Sequence, residues 1–420
     1  MFSFLHAADI HLDSPLKGLE EYQDAPMEQI REAARKAFDN LVQLAIDEKV
    51  AFVLLAGDLY DGDWKDYNTG IYFLNRVGRL RDAGIRLFMV SGNHDAATQM
   101  ITRSLKLPDN VTLFPHRNVG VHILEQYDVA LYGQSFSARV VTDDLVKHYP
   151  QGDSALFNIG ILHTSLNGRI GHESYAPCTL DELRSKGYQY WALGHVHQRE
   201  VICRDPWVVF PGNIQGRHIR ETGSKGCSLV SVSNGQVTSV EHRDLDVLRW
   251  AVSRVDASRS DSIEALLDLV RDTFQHERDD ADGRPIAIRL CLEGITPLHG
   301  MLHENAVQLH EEFRGIAANL GDVWIEKIIV STRKTTLEGE GVSGDSPVEH
   351  LMKSIEALQL DNASLAELVP EFEKLRSKLP SELLSDGDPF RPDETELSAI
   401  REEVKELLIS KIQQRGRHEN

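Results

Sequence analysis

The amino-acid sequence predicts an α/β fold, because short apolar runs alternate with amphipathic stretches over the first 240 residues. Residues 2–7, 52–55 and 85–90 are apolar and have the length of strands. The segments between them, 27–48 and 69–83, carry apolar side chains at the three- and four-residue spacing of an amphipathic helix. A strand–helix–strand order of this kind builds a domain of layered sheets and helices.

The pattern divides the chain into three regions, 1–245, 246–335 and 336–420. The first contains seven further short strands, and the last two flank an Asn234-Gly235 turn that is typical of a hairpin. The second alternates strands and helices over residues 248–331, which predicts a small βαββαβ-like α+β domain. The third begins with a Gly-rich acidic linker, and apolar residues at helical spacing in 347–378 and 394–414 predict a helical tail.

Composition excludes several classes of protein. Hydrophobic residues make up 41% and charged residues 26% of the 420, which is ordinary for a globular protein and excludes a disordered or fibrous one. The longest dense apolar run, residues 51–56, is far shorter than the roughly 20 residues of a membrane-spanning helix. No export signal is recognisable at the N-terminus, and the four cysteines lack paired CxxC spacing. Reduced thiols, a cytoplasmic location and no membrane partner are therefore expected.

The charge is unevenly distributed along the chain. There are 45 basic and 65 acidic residues, a net charge of −20, of which residues 1–240 carry −5 and residues 241–420 carry −15. An acidic total disfavours nucleic-acid binding, since that affinity usually rests on neutralising phosphates with Lys and Arg. Binding depends on the local potential, however, so a nucleic-acid substrate stays open for the less acidic first region.

Five short polar motifs follow apolar strands directly. Alone each is weak, since Asp-x-His occurs by chance and a Gly-Asp or Gly-Asn-His-Asp after a strand is commonly a turn. Ligands bind at the carboxyl ends of strands in open α/β sheets, so five polar strand ends in this order indicate one shared site. The motifs are Asp9-Ile10-His11, Gly57-Asp58-Leu59-Tyr60-Asp61, Gly92-Asn93-His94-Asp95, His163 and Gly194-His195-Val196-His197.

These residue types predict a metal site. Carboxylate, imidazole and amide ligands together suit Mn²⁺, Fe²⁺ or Zn²⁺ better than Ca²⁺ or Mg²⁺, which prefer oxygen ligands alone. The candidates are too many for one ion, and two metals that share a carboxylate account for them all. Two metals roughly 3.5–4 Å apart activate a water and stabilise an in-line displacement at phosphorus. The seven candidate ligands are Asp9, His11, Asp58, Asn93, His163, His195 and His197.

The order of the motifs resembles that of the calcineurin-like metallophosphoesterases and, among them, the SbcD-type DNA-repair nucleases. The resemblance is carried by FLHAADIHLDSP, LLAGDLYDGD, VSGNHDA, WALGHVHQ and FPGNIQGRH, and it extends over about residues 1–245. It implies a four-layer αββα sandwich, a small α+β capping domain that frames the substrate, and a helical C-terminal tail that holds an SMC-like ATPase such as SbcC. It also implies two divalent metal ions, with Mn²⁺ expected before Fe²⁺, Mg²⁺ or Zn²⁺, and a homodimer.

The resemblance further implies a role for each matching residue. The first metal would be held by Asp9, His11, Asp58 and His197, and the second by Asp58, Asn93, His163 and His195, with Asp58 as the bridge. His94 would be the general acid at the leaving oxygen, and Asp95 would orient its imidazole. Nuclease relatives often have a histidine where this chain has Asp61, so the role of Asp61 is left open, with a supporting carboxylate favoured over a ligand.

Three functions compete at this point. The first is a metal-dependent DNA exo/endonuclease that recognises ends or structures without sequence specificity. The second is a phosphomonoesterase or phosphodiesterase that acts on small nucleotides or phosphoproteins, and the third is a non-enzymatic scaffold, disfavoured because no predicted ligand is missing. A small-nucleotide enzyme needs neither the 246–335 region nor a helical tail, which favours the nuclease. Candidate DNA contacts in loops beside the metal motifs are Arg169, Arg199, Arg217, His218, Arg220 and Lys225.

Overall fold

The computed structural model describes residues 1–12, 14, 32–61, 67–97, 106–166, 175–334 and 354. The chain forms two compact units, Met1–Arg333 and Lys334–Asn420. The described part of the first unit folds into three sheets with flanking helices, which confirms the α/β class. The predicted linker and helical tail, 336–420, lie outside the described residues except for Ser354. Within the described ranges, no helix is both long enough and apolar enough to cross a membrane.

The described residues contain fifteen strands and seven α-helices. In chain order the strands are β1 (Phe2–Ala7), β2 (Phe52–Ala56), β3 (Arg86–Val90), β4 (Val111–Leu113), β5 (Gly120–Leu124), β6 (Val129–Gly133), β7 (Phe157–His163), β8 (Tyr190–Gly194), β9 (Glu200–Arg204), β10 (Trp207–Phe210), β11 (Gly226–Ser233), β12 (Gln236–Asp244), β13 (Arg249–Asp256), β14 (Ile286–Thr296) and β15 (Val323–Lys334). The helices are α1 (Ala33–Asp47), α2 (Tyr67–Asp82), α3 (Asn93–Ala97), α4 (Leu180–Ser185), α5 (Ile263–Asp280), α6 (His299–Glu304) and α7 (Ala306–Leu320).

Two six-stranded sheets make up the larger part of the first unit. Their strand orders are β12-β11-β1-β2-β3-β4 and β5-β6-β7-β8-β10-β9. Strands β1 to β4 run parallel to one another, and so do β6, β7, β8 and β10. Antiparallel pairs, β1 with β11 and β10 with β9, extend the two sheets at their sides. The parallel runs bring the carboxyl ends of neighbouring strands together at one edge of each sheet.

Four layers result from the packing of these sheets. The sheets face each other across an apolar core, in which the ring of Phe4 stacks on Phe52 at 5.1 Å and meets the edge of Tyr190 from the second sheet at 5.3 Å. Helices α1 and α2 cover the outer face of the first sheet, with Phe38 of α1 fully buried. Helix α4 covers the outer face of the second sheet through Leu183. This order of helix, sheet, sheet and helix confirms the predicted αββα sandwich.

The small domain follows the second large sheet. It has a three-stranded sheet in the order β13-β14-β15, and α5 and α7 pack on one face of it. The hydroxyl of Ser262 caps α5 by accepting from the N–H of Ala265 at 3.2 Å, and Leu266, Val270 and Phe274 form its buried stripe. The elements run strand, helix, strand, two helices, strand, which is close to the expected βαββαβ-like order but lacks its fourth strand. The segment between β14 and β15 is two consecutive helices, without an additional strand.

The small domain contacts the loop between β10 and β11, residues 211–225, which is called the β10–β11 loop below. The indole Nε1 of Trp250 donates to the carbonyl of Gly216 at 3.0 Å. The side chain of Gln215 donates to the carbonyl of Leu248 at 2.7 Å and accepts from the N–H of Val247 at 2.9 Å. Two of these hydrogen bonds are buried and one is partly buried, and together they tie the loop to the start of β13.

Candidate metal centre

The predicted ligands lie at the carboxyl ends of parallel strands from both large sheets. Asp9, Asp58 and Asn93 follow β1, β2 and β3 of the first sheet, whereas His163 ends β7 and His195 follows β8 of the second. All five residues are buried. Because the two sheets pack face to face, their rows of strand ends meet, and side chains from distant parts of the chain converge there.

The backbone bends sharply where these strands end. Asp9, His11, Asp58 and His195 have positive φ angles of 51°, 45°, 52° and 103°. Non-glycine residues adopt such conformations at a cost of roughly 1–3 kcal/mol each, and they cluster at functional sites. Hydrogen bonds from the N–H of Asp9 to the carbonyl of Gly57 and from the N–H of His11 to the carbonyl of Asp58, both 3.0 Å, hold two of these bends in place.

The residues predicted for the first metal point at one another. The ligand atoms of Asp9, His11 and His197 all lie within 4.8 Å of one another. His197 Nε2 is 3.8 Å from Asp9 Oδ1 and 3.3 Å from His11 Nε2. His11 Nε2 is in turn 3.9 Å from Asp58 Oδ2, which brings the fourth predicted ligand to the group.

The residues predicted for the second metal also come together. Asp58 and His163 form a group with Asp9, which was predicted for the first metal, and their ligand atoms lie within 4.8 Å of one another. His163 Nε2 lies 3.4 Å from Asp58 Oδ2 and 2.9 Å from Asn93 Oδ1. The ring of His195 lies beside that of His163, with centroids 5.2 Å apart, and the backbone N–H of His195 donates to the Asp9 carboxylate. Asp58 therefore faces both groups, where a bridging ligand is needed.

Hydrogen bonds set the tautomers of two histidines in a way that suits metal binding. His163 Nδ1 is 2.9 Å from the carbonyl oxygen of Ala56, which can only accept, so the neutral ring carries its proton on Nδ1. Its Nε2 then faces the Asp58 carboxylate, an arrangement that favours either a proton on Nε2 or a metal ion between the two groups. His197 has the same arrangement, because its Nδ1 is 2.6 Å from Glu221 Oε1. Carboxylates and inward-facing imidazole nitrogens form a donor set that fits divalent metal ions.

The charges in the site shift the pKa values of its two buried aspartates in opposite directions. Burial raises the pKa of Asp9 above its ordinary value. Burial acts the same way on Asp58, but the imidazoles of His163 and His11 outweigh it and hold the pKa of Asp58 well below its usual range. Burial also disfavours the charged form of His163, yet Asp58 raises the pKa of that histidine to about 9. A positive charge is thus stabilised between Asp58 and His163, which is where the predicted second metal would bind.

A carboxylate other than the expected one holds His94. The Nδ1 atom of His94 is 2.9 Å from Asp61 Oδ1, and its backbone N–H donates to Asp58 Oδ1 at 3.0 Å. Asp95 was expected to orient His94. This expectation was wrong, because the Asp95 carboxylate lies among the backbone N–H groups of the loops that follow β2 and β3. There it accepts hydrogen bonds of 2.9 to 3.2 Å from the backbone N–H groups of Leu59, Tyr60 and Gly92. Asp95 thus joins two motif loops, and Asp61 is the carboxylate beside His94.

Glu221 is a residue of the site that the motif analysis missed. Its Oε1 lies against His197 Nδ1, and its Oε2 accepts from Asn213 Nδ2 at 2.8 Å and from the N–H of Arg217 at 2.7 Å. Burial alone would raise the pKa of Glu221, but His197 and Arg217 hold it well below its usual range. The available signal was the position of Glu221 three residues after the end of the FPGNIQGRH segment. Carboxylates commonly support metal-binding histidines in this way, but they are adjacent in space and seldom in sequence.

The candidate DNA contacts occupy different surroundings. Arg169 lies outside the described residues. Arg217 reaches the metal centre, with Nη2 3.3 Å from His197 Nδ1. Arg199 is half-buried, and Arg220 is exposed on the β10–β11 loop. His218 and Lys225 both lie close to the site. The Nε2 of His218 is 3.6 Å from Glu221 Oε1, and the Nζ of Lys225 donates to the carbonyl of His197 at 3.2 Å.

Comparison with known proteins agrees with this fold and site. The calcineurin-like phosphoesterase family profile matches residues 2–199, and the profile of the middle domain of metallophosphoesterase YhaO matches residues 250–333. The chain therefore belongs to the calcineurin-like metallophosphoesterases, as its motifs predicted. It is 37% identical over 299 residues to the "uncharacterized metallophosphoesterase YhaO" of Bacillus subtilis (strain 168), a match that covers 70% of this chain and 72% of that protein.

Two more distant relatives have names that refer to DNA or to a nuclease. The chain is 22% identical over 314 residues to the DNA double-strand break repair protein Mre11 of Sulfolobus acidocaldarius, covering 70% of this chain and 75% of that protein. It is 28% identical over 313 residues to the SbcD component of the nuclease SbcCD of Escherichia coli (strain K12), covering 64% and 74%. Membership of this family makes the protein a metallophosphoesterase with a dinuclear metal site.

Proposed function

We propose that the protein is a metal-dependent DNA exo/endonuclease of the SbcD type that hydrolyses phosphodiester bonds. The observation that carries the proposal is the convergence of Asp9, Asp58, Asn93 and the site histidines at one edge of the sandwich. The names of the more distant relatives support a polynucleotide substrate over a small one. When bound, two divalent ions supply Lewis-acid stabilisation of phosphate oxygens and a nucleophile at neutral pH.

His94 is assigned the role of general acid. Asp61 holds its Nδ1, which fixes the orientation of the imidazole beside the metal group. Burial disfavours the charged form of His94, but Asp61 and Asp58 outweigh it and raise the pKa of His94 above its ordinary value. A protonated His94 can give its proton to the leaving oxygen as the ester bond breaks.

The acidic net charge does not oppose this substrate. The excess of acid lies after residue 240, and bound divalent ions offset carboxylates such as Asp9 and Asp58. Arg217 adds a positive charge at the metal centre itself. We therefore expect binding to depend on backbone phosphates and metals, without sequence preference.

The proposal is tested with the full chain, stripped of metal with a chelator and reloaded with Mn²⁺. The substrates are linear double-stranded DNA, closed circular DNA, single-stranded DNA and bis(p-nitrophenyl) phosphate. An Asp58→Asn variant purified in parallel controls for contaminating nucleases. Mn²⁺-dependent cleavage of DNA by the wild type alone supports the nuclease. Cleavage of only the generic ester would instead favour the phosphoesterase that acts on small nucleotides or phosphoproteins.

We further propose that Mn²⁺ is the native metal, that the protein is a cytoplasmic homodimer, and that region 336–420 docks an SMC-like ATPase of the SbcC type. The division of the chain into the compact units Met1–Arg333 and Lys334–Asn420 supports a distinct role for that region. A chain that ends at residue 340 should keep its metals and cleave short substrates but no longer co-purify with the ATPase. Loss of nuclease activity on truncation would place the region in the catalytic fold.

A further inference from the structure

Glu221 contacts two groups of the site at once. Its side chain is only 8% exposed, and its Oε1 is 2.6 Å from Nδ1 of the metal-ligand candidate His197. Its Oε2 holds the backbone of Arg217 at 2.7 Å and the amide of Asn213 at 2.8 Å. The carboxylate thus orients one imidazole and fixes the position of one arginine on the β10–β11 loop.

The guanidinium of Arg217 has donors that the protein does not use. Its Nη2 is 3.3 Å from His197 Nδ1, but that nitrogen carries the proton directed at Glu221 and cannot also accept. The distance from Nη2 to Glu221 Oε1 is 3.6 Å, longer than a hydrogen bond. The buried Nε of Arg217 has no hydrogen-bond partner among the described residues.

The positive charge of Arg217 does not help the metals to bind. The guanidinium lies beside the first group of ligands, since its Nη2 is 3.3 Å from Nδ1 of His197. A fixed cation there repels a metal ion. The nearest carboxylate, Glu221, is 3.6 Å from Nη2 and is shared with His197, so an anion that enters the site would be a further partner for the guanidinium. A guanidinium presents a planar fork of donors that matches phosphate oxygens.

We propose that Arg217 binds a non-bridging oxygen of the substrate phosphate, and that Glu221 is the positioning residue for both Arg217 and His197. This inference rests on phosphoester hydrolysis at the proposed site, but it does not depend on DNA being the substrate. It adds to the metal centre a protein group that contacts the phosphate from the side of the β10–β11 loop.

The test uses the full chain loaded with Mn²⁺ and inorganic phosphate as the probe. Phosphate affinity is measured by calorimetry and as competitive inhibition of bis(p-nitrophenyl) phosphate hydrolysis, and bound metal is measured by elemental analysis. Arg217→Gln should keep both metals and weaken phosphate binding by roughly 10- to 100-fold, whereas Arg217→Lys should retain part of the affinity. Arg204→Gln, which removes the same charge from an exposed position on β9, should change neither quantity.

Glu221→Gln should lower metal affinity by roughly 10- to 100-fold, as expected when the support of a ligand histidine is weakened. At saturating Mn²⁺ it should still weaken phosphate binding, but Glu221→Gln combined with Arg217→Gln should bind phosphate no worse than Arg217→Gln alone. A merely structural role for Glu221 predicts instead that the two losses add.

Two results would overturn the inference: normal phosphate affinity in Arg217→Gln, or additive losses in the double variant. Failure of the proposed function has a different signature, because the wild type would then hydrolyse no phosphoester. In that case calorimetric phosphate binding still shows whether Arg217 contacts the anion.

Discussion

Replacement of Gly92 by Ala should disable the metal centre, although it adds only one methyl group. Gly92 precedes the Asn93-His94 motif and is in close contact with the ligands behind it. A Cβ atom there would lie 2.2 Å from Asp58 Oδ1 and 2.8 Å from His163 Cε1. The φ angle of Gly92 is not positive, so the backbone itself accepts alanine and the effect comes from the contact alone.

The magnitude follows from how firmly Asp58 is held. The overlap with Asp58 Oδ1 is about 1 Å relative to ordinary van der Waals contact. The carboxylate cannot retreat freely, because Oδ1 accepts from the N–H of His94 at 3.0 Å and Oδ2 faces His163 at 3.4 Å. A displacement of about 1 Å in a positioned group can cost about 10²-fold in rate, and overpacking costs roughly 1–3 kcal/mol of stability. We expect losses of this size in both quantities, together with reduced metal content.

Gly78→Ala is the matched control. Gly78 lies within α2, and a Cβ atom there would meet nothing within 4 Å. The same substitution should therefore stabilise the protein by roughly 0.5–1 kcal/mol, through helix propensity, and leave activity unchanged. Metal analysis, turnover of bis(p-nitrophenyl) phosphate and urea unfolding are measured on both variants. Full metal content and normal turnover in Gly92→Ala would refute the reasoning about the contact with Asp58.

The remaining predictions concern the ligands, the general acid and a buried histidine. Asp58→Ala and His195→Ala should each lower the bound metal content and reduce turnover at least about 10²-fold. Retention of two metals with normal turnover in either variant would contradict the ligand assignment. His94→Ala should keep its metals but lose roughly 10²- to 10⁴-fold in turnover, so near-normal rates or lost metal would exclude it as general acid. Stability should fall as the pH drops from 6.5 towards 3, because burial lowers the pKa of His6 from 6.5 to about 3 and the unfolded chain then binds more protons. At pH 4.5 the His6 contribution lowers the free energy of unfolding by roughly 2–3 kcal/mol relative to neutral pH. Urea unfolding of the wild type and of His6→Gln at both pH values measures this difference. Equal pH dependence in the two proteins would contradict the prediction.

The location of the site could be predicted from local sequence, because each motif directly follows an apolar strand. In the first large sheet, β2 is buried at all five positions and leads directly into Gly57-Asp58. In the second, β7 is buried at all seven positions and ends on His163 itself. The register of a buried parallel strand therefore determines where its polar end lies, and the residues that carry this information are adjacent in the chain.

The partners of those ligands could not be predicted in the same way. Asp95 follows His94 directly, and the family resemblance implied that it orients the imidazole. The short helix α3 directs the two side chains differently, so that Asp95 binds the backbone of Leu59 and Tyr60 while Asp61 faces His94. Such contacts depend on how two loops from different strands pack together, and residue spacing within one motif does not predict that packing.

The contact between Glu221 and His197 could not be predicted from local sequence either, because it joins residues that are far apart in the chain. It also shows why the small domain matters to the site. The β10–β11 loop brings Glu221 to His197, but part of the support for the loop comes from the other side, where Trp250 binds the carbonyl of Gly216 at 3.0 Å. The N–H of Gly223 donates back to the carbonyl of Trp250 at 3.1 Å, so the loop is held on both sides of Glu221. The orientation of a metal-ligand candidate thus depends on a tryptophan of the neighbouring domain, a dependence that arises only when both domains are folded and in contact.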